Sequence, residues 1–146
     1  MTTLRTILLA EDSPADAEMA IDALQEARLA NPIVHVEDGV EVMDYLLRRG
    51  AHATRDEGLP AVLLLDIKMP RMDGLEVLRQ IREHEELKRL PVVILSSSRE
   101  ESDLARSWDM GVNAYVVKPV DVDQFFGAVQ TLGKFWALIN QAPEVE

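Results

Sequence analysis

The sequence has no cysteine, few basic residues and no long apolar run, and each shortage closes off a class of function. Without cysteine there are no disulfides, no thiol nucleophiles and no thiolate-based zinc or iron sites. Lysine and arginine number 15 against 26 aspartates and glutamates, a formal net charge of −11. That balance opposes nucleic acid, whose sequence-independent affinity comes from neutralising phosphates with basic side chains, so no nucleic-acid partner is expected. It leaves room for a basic protein surface or a metal cation. The aliphatic runs stop at four or five residues, well short of the roughly 18 that a membrane span needs, and no membrane partner is expected. At the N-terminus, MTTLRTILLAED meets acids directly after Ala10 and lacks a signal-peptide layout, so a cytoplasmic location is expected.

What is present suits one core. With 146 residues, 47% of them hydrophobic, the chain fits a single domain over 1–146, with a core from about 5 to 141 and a tail over 142–146. Short aliphatic runs recur as TILLA (6–10), IVHV (33–36), AVLLL (61–65), VVIL (92–95) and AYVV (114–117). Each is too short for a helix and too continuous for a half-wet strand, and reads as a strand covered on both faces. Amphipathic helical patterns separate them. The first runs from Pro14 to about Leu29 with Asp12 or Ser13 as N-cap, and the second from about Val40 to Arg49, with Val42, Met43, Leu46 and Leu47 inward. The third spans about Leu75 to Leu87 around Val77, Leu78 and Ile81. A fourth, weaker one lies near Glu100 to Met110, and a long fifth follows Asp121 to about Asn140. The stretch at about 48–60 is longer than a usual connection and reads as a surface insertion. Alternating strands and helices imply right-handed crossovers and a doubly wound α/β domain with a parallel sheet.

In such folds ligands gather outside the carboxyl ends of the strands. The residues at those ends are Glu11 and Asp12, Glu37 and Asp38, Asp66, Ser96 and Ser97, and Lys118. Asp66 closes the aliphatic stretch VLLLDIKMPRMDG, and a carboxylate there is costly unless it is paired or metal-bound. Acids converging on one edge repel one another unless a cation sits among them, and a hard divalent ion such as Mg²⁺ suits carboxylate ligands. Lys118 offers a second positive charge, and a carboxylate beside a metal and an ammonium can attack phosphorus to give an acyl phosphate. Taken singly, Glu11 and Asp12 could be a helix cap and first-turn charge, Asp66 a loop acid, Ser96 and Ser97 caps, and Lys118 a surface lysine.

Taken together, ILLAEDSP, LLLDIKMPRMDGLEVLRQIR, VVILSSS and AYVVKPV resemble the receiver domain of two-component response regulators over nearly the whole chain. The resemblance implies a flavodoxin-like (βα)5 fold with a five-stranded parallel sheet of order 2-1-3-4-5. It also implies that Asp66 is the phosphoacceptor and that Glu11, Asp12, Asp66 and the backbone carbonyl of Lys68 hold Mg²⁺. Lys118 would engage the phosphoryl group, with Ser96 as the switch hydroxyl and Tyr115 as the switch aromatic. Ser96 falls 30 residues after Asp66 and Lys118 a further 22 on, the usual receiver intervals. Asp66 follows Asp12 by 54 residues, longer than usual, and the excess coincides with the insertion at 48–60. With EDSPAD, SSSREESD and a closing FWALI, this layout resembles stand-alone response regulators that partner phytochrome-type kinases.

The expected function is therefore acceptance of a phosphoryl group from a sensor histidine kinase, including one of bacteriophytochrome type, with no conventional enzymatic turnover beyond autodephosphorylation. Only 28 residues follow Lys118, so the expected output is binding, including homodimerisation through the fourth and fifth helical patterns and the fifth strand. Phe125, Phe135, Trp136 and Ile139 are the candidate contact residues. One rival is a phosphohydrolase with an aspartate nucleophile, but such enzymes typically carry a second acid two residues on, where this chain has Lys68. The other is a receiver-like scaffold or dimerisation protein that works without phosphorylation.

Overall fold

The computed structural model describes residues 5–27, 29–55, 58–96, 109–118 and 120–130. Its sheet comprises β1 (Ile7–Ala10), β2 (Ile33–Val36), β3 (Val62–Asp66), β4 (Val92–Ser96) and β5 (Ala114–Val117). All pairings are parallel, in the order β2-β1-β3-β4-β5, as the resemblance implied. The described helices are α1 (Pro14–Glu26), α2 (Gly39–Leu47), α3 (Gly74–Glu83) and α4 (Val122–Gln130).

Strand alternation splits the aliphatic side chains into two cores. Ile7, Leu9, Val62, Leu64, Val93 and Leu95 face the alanine-rich side of α1 and Phe125 of α4. Leu8, Ala10, Leu63, Leu65, Val92 and Ile94 face Val42, Met43 and Leu46 of α2 and Val77, Leu78 and Ile81 of α3. The helices thus cover both faces, which is why the central strands are continuous apolar runs rather than alternating ones.

Several boundaries and burials depart from the sequence reading. Three of the four positions of β2 are only partly buried, because it pairs with β1 alone and lies at the sheet edge. Helix α1 stops at Glu26, short of Leu29, and α3 stops at Glu83, short of Leu87, where His84 turns extended with ψ 127°. Leu87 is nevertheless buried, serving the core from a turn. Arg48 ends α2 in the left-handed conformation, φ 57°. Phe125 was expected at a contact surface, but it is fully buried. Its ring fills the core beneath α1, so it is unavailable to a partner. The pattern near 100–110 lies outside the described residues except for Asp109 and Met110, as do Ser97, Phe135, Trp136 and Ile139.

The segment after α2 folds back onto it through Arg55. The Arg55 guanidinium stacks 4.1 Å from the Tyr45 ring centroid and donates to the Tyr45 carbonyl at 2.7 and 3.0 Å. Tyr45 itself is buried, its hydroxyl 3.3 Å from that of Thr6. Among the described residues, no helix is long and apolar enough to cross a membrane.

Candidate functional site

Register assembles the site. Ala10 lies opposite Leu65, so the next residues, Glu11 and Asp66, emerge side by side at the carboxyl edge. Ser96 lies opposite Val117, which delivers Lys118 to the same edge; the Lys118 N–H donates to the Ser96 carbonyl at 2.9 Å.

Glu11 extends β1 by donating its N–H to the Val36 carbonyl at 3.0 Å, and its side chain is almost wholly buried. Ser13, rather than Asp12, caps α1, accepting the Asp16 N–H at 3.2 Å, while the Ser13 N–H donates to Glu11 Oε2 at 3.0 Å. Asp12 is exposed at the mouth, its carboxylate uncommitted to the cap. Glu11, Asp12 and Asp66 each place a carboxylate oxygen within 4.8 Å of the other two.

Asp66 is held from below. A Cβ on Gly74 would stand 2.2 Å from the Asp66 carbonyl oxygen, so only glycine lets the start of α3 close under the acid. The Gly74 N–H donates to the Ile67 carbonyl at 2.7 Å. The loop is also tied sideways: Arg71, left-handed at φ 68°, grips Asp38 with two bonds of 3.0 and 3.1 Å. Asp38 in turn accepts the Glu41 N–H at 2.8 Å as N-cap of α2. Burial works against the Asp38 charge, but the Glu41 N–H and Arg71 outweigh it and hold its carboxyl below the usual range. Asp38 therefore belongs to a loop brace, and Glu37 is exposed, donating its N–H to Glu41. Neither strand-end acid of β2 joins the cluster.

Lys118 is the cation of the cluster. Its Nζ lies 2.6 Å from Glu11 Oε1, 3.0 Å from Asp16 Oδ2 and 3.3 Å from Asp66 Oδ2. Burial alone would lower its affinity for a proton, but hydrogen bonds to Glu11 and Asp16 and the charges of Asp66 and Glu11 push it above its ordinary value. The Asp66 pKa is raised as well, which for an acid favours the neutral form: burial first, then the charge of Glu11, raise it to about 7 against the pull of Lys118. One ammonium does not neutralise this edge, so the site is short of positive charge.

A hard divalent ion fits that deficit. The donors are carboxylate oxygens, and Asp12 opens the cluster to solvent, from which waters could complete an octahedral shell. In the loop after Asp66, the Ile67 carbonyl is taken by Gly74, whereas no backbone N–H among the described residues takes that of Lys68. The Lys68 side chain is exposed. Ser96 is buried at the end of β4, and Tyr115 is half-buried in β5 against the α2/α3 core.

Asp16 was missed by the sequence reading. As an acid in the first turn of α1 it looks like a charge for the helix dipole, and nothing local announces a contact with a lysine 102 residues away.

The chain is similar to known proteins over most of its length. The model of the "Response regulator receiver domain" matches residues 7–130. Response regulator Rcp1 of Synechocystis sp. is 34% identical over 132 residues, covering 90% of this chain and 88% of that protein. The solved structure of the bacteriophytochrome response regulator AtBRR is 53% identical, with a TM-score of 0.87 over 96% of this chain and 100% of that one. A Mn(2+)-bound structure of Rcp1 is 33% identical with a TM-score of 0.76, covering 96% of this chain and 99% of that one. Sheet order, strand-end acids and sequence match agree, and the chain belongs to the response regulator receiver domain family.

Proposed function

We propose that this receiver accepts a phosphoryl group from the phosphohistidine of a sensor histidine kinase onto Asp66. The observation that carries this reading is the placement of the Asp66 carboxylate, buried and short of countercharge, 3.3 Å from the Lys118 ammonium. An Asp66 oxygen forms the new O–P bond while the N–P bond of the donor breaks, and the electron pair leaves with the imidazole. The protein contributes position and charge: β3 and Gly74 fix the nucleophile, and Lys118 faces the oxygens on which negative charge gathers. Mg²⁺, held by Glu11, Asp12, Asp66 and the Lys68 carbonyl, would supply the remaining neutralisation of the phosphoryl oxygens.

The Ser96 hydroxyl and Tyr115 form the proposed switch, with the hydroxyl drawn to the new phosphoryl oxygens and the ring following it. This shifts the population of one surface around β5. A second copy of the chain is the proposed occupant of that surface. Sedimentation velocity over a concentration series, before and after phosphorylation, checks this; a monomer throughout rules it out. A phytochrome-type kinase is the proposed donor, supported by likeness to a bacteriophytochrome response regulator.

The chemistry itself is tested by incubating the full chain with Mg²⁺ and a radiolabelled small phosphodonor. The expected product is an acyl phosphate, cleaved by hydroxylamine and mapped to the peptide containing Asp66. Label absent, or carried on another residue, overturns the reading and favours a scaffold that works without phosphate.

A further inference from the structure

We propose that Asp16 is a positioning residue for phosphoryl transfer, a competing acceptor that holds the Lys118 ammonium on the outer side of the site and limits its availability to Asp66. The inference rests on the phosphoacceptor role proposed above for Asp66.

An ammonium has three N–H donors, and here three carboxylates stand within reach of it, on Glu11, Asp16 and Asp66. To stabilise an incoming phosphoryl group, Lys118 must redirect a donor, and the three contacts are not equally easy to give up. The Glu11 contact is the shortest and its side chain is 1% exposed, so breaking it would strand a buried carboxylate without a cation. The Asp66 contact is the longest, and it points where the transferred group arrives. Asp16 is 37% exposed, so water can take the place of Lys118 on its carboxylate. It is the partner that can be surrendered, and while engaged it draws the ammonium from Asp66 and offsets part of its charge.

The helix does not need this side chain. The cap of α1 is made by Ser13 Oγ with the backbone N–H of Asp16, a bond that any residue except proline at position 16 keeps. A role in the helix dipole alone would show as a small change in stability with no change in the chemistry.

The test compares wild type, Asp16→Asn and Asp16→Glu as full chains with Mg²⁺ and subsaturating acetyl phosphate. Asp16→Asn is expected to accelerate phosphorylation of Asp66 about fivefold, the scale of one partly exposed ion pair. Asp16→Glu, which keeps the competing carboxylate, is expected to stay within about twofold of wild type, on the same scale. The contact is read independently by NMR of the Lys118 Nζ group, whose ¹⁵N signal should shift and whose protons should exchange faster in Asp16→Asn. An unchanged Nζ signal overturns the inference, as does an unchanged rate in Asp16→Asn or an equal acceleration in Asp16→Glu. If wild type takes label and Asp16→Asn takes it no faster, this inference alone falls. If wild type takes no label at Asp66, the reading of the previous subsection falls and this one with it.

Discussion

Replacing Asp66 by asparagine is expected to abolish phosphoryl uptake and, at the same time, to stabilise the metal-free protein at pH 8. The first effect follows from chemistry: an amide offers no anionic oxygen to attack phosphorus, and labelling should fall by at least about a thousandfold, the scale on which loss of a nucleophile is felt. The second follows from linkage. The carboxyl of Asp66 has its pKa raised from 3.8 to about 7 in the folded chain, by burial and by Glu11. Between those values the folded state binds a proton that the unfolded chain releases, so stability falls as pH rises through the window. The cost is fully present above pH 7 and absent below about pH 4. A shift of that size corresponds to roughly 4 kcal/mol at most, and solvent screening at the mouth reduces it to about 2 kcal/mol. Thermal unfolding without metal should show Asp66→Asn melting about 5 °C above wild type at pH 8 and level with it at pH 4. Mg²⁺ should close the gap at pH 8 by stabilising wild type through binding to its folded state. A variant that melts below wild type at pH 8 would mean that the burial of Asp66 is compensated by partners already in place.

The same cost explains what could be read from the sequence. An acid at the end of VLLLD is conspicuous because burial makes it expensive, and the central strands are legible because cover on both faces demands unbroken aliphatic runs. Edge strand β2 looked like the others since IVHV is equally apolar; only its position, which no local pattern carries, leaves Ile33, Val34 and His35 half-covered. Helix ends were misplaced where a turn serves the core, as at Leu87, whose burial mimics another helical turn. Phe125 lies on an apolar helix face that suits core or contact alike, since one helix pattern cannot say how deep that face sits; the structure buries it. The structure brings together Glu11, Asp12, Asp66 and Lys118, which are conspicuous in sequence because Glu11, Asp66 and Lys118 directly follow aliphatic runs and Asp12 follows Glu11. The Asp16–Lys118 contact and the Asp38–Arg71 brace depend on segments distant in sequence meeting in space, and the close approach of Gly39, where a Cβ would stand 2.0 Å from the Met72 carbonyl oxygen, is equally invisible in sequence.

Removing the cation instead of the acid should have the opposite sign. In Lys118→Met the nearly isosteric stem remains, but Glu11 and Asp66 lose the ammonium 2.6 and 3.3 Å away. Stranding buried charge in this way typically costs about 3–5 kcal/mol. The folded variant can limit the loss only by keeping a proton on the acid pair, so it binds protons more tightly than its unfolded chain and its stability falls as pH rises. Urea unfolding of the metal-free protein should therefore show a deficit of about 4 kcal/mol at pH 8 that shrinks towards pH 5. Adding Asp66→Asn to Lys118→Met should recover roughly half of the deficit, because one of the two stranded acids is gone and the effects of contacting residues do not add. Mg²⁺ should recover part of it in Lys118→Met but not in the double variant, since the proposed metal site includes the Asp66 carboxylate. A deficit of the same size at both pH values, unrelieved by Asp66→Asn, would place the role of Lys118 in packing of its stem and not in the charge balance of the site.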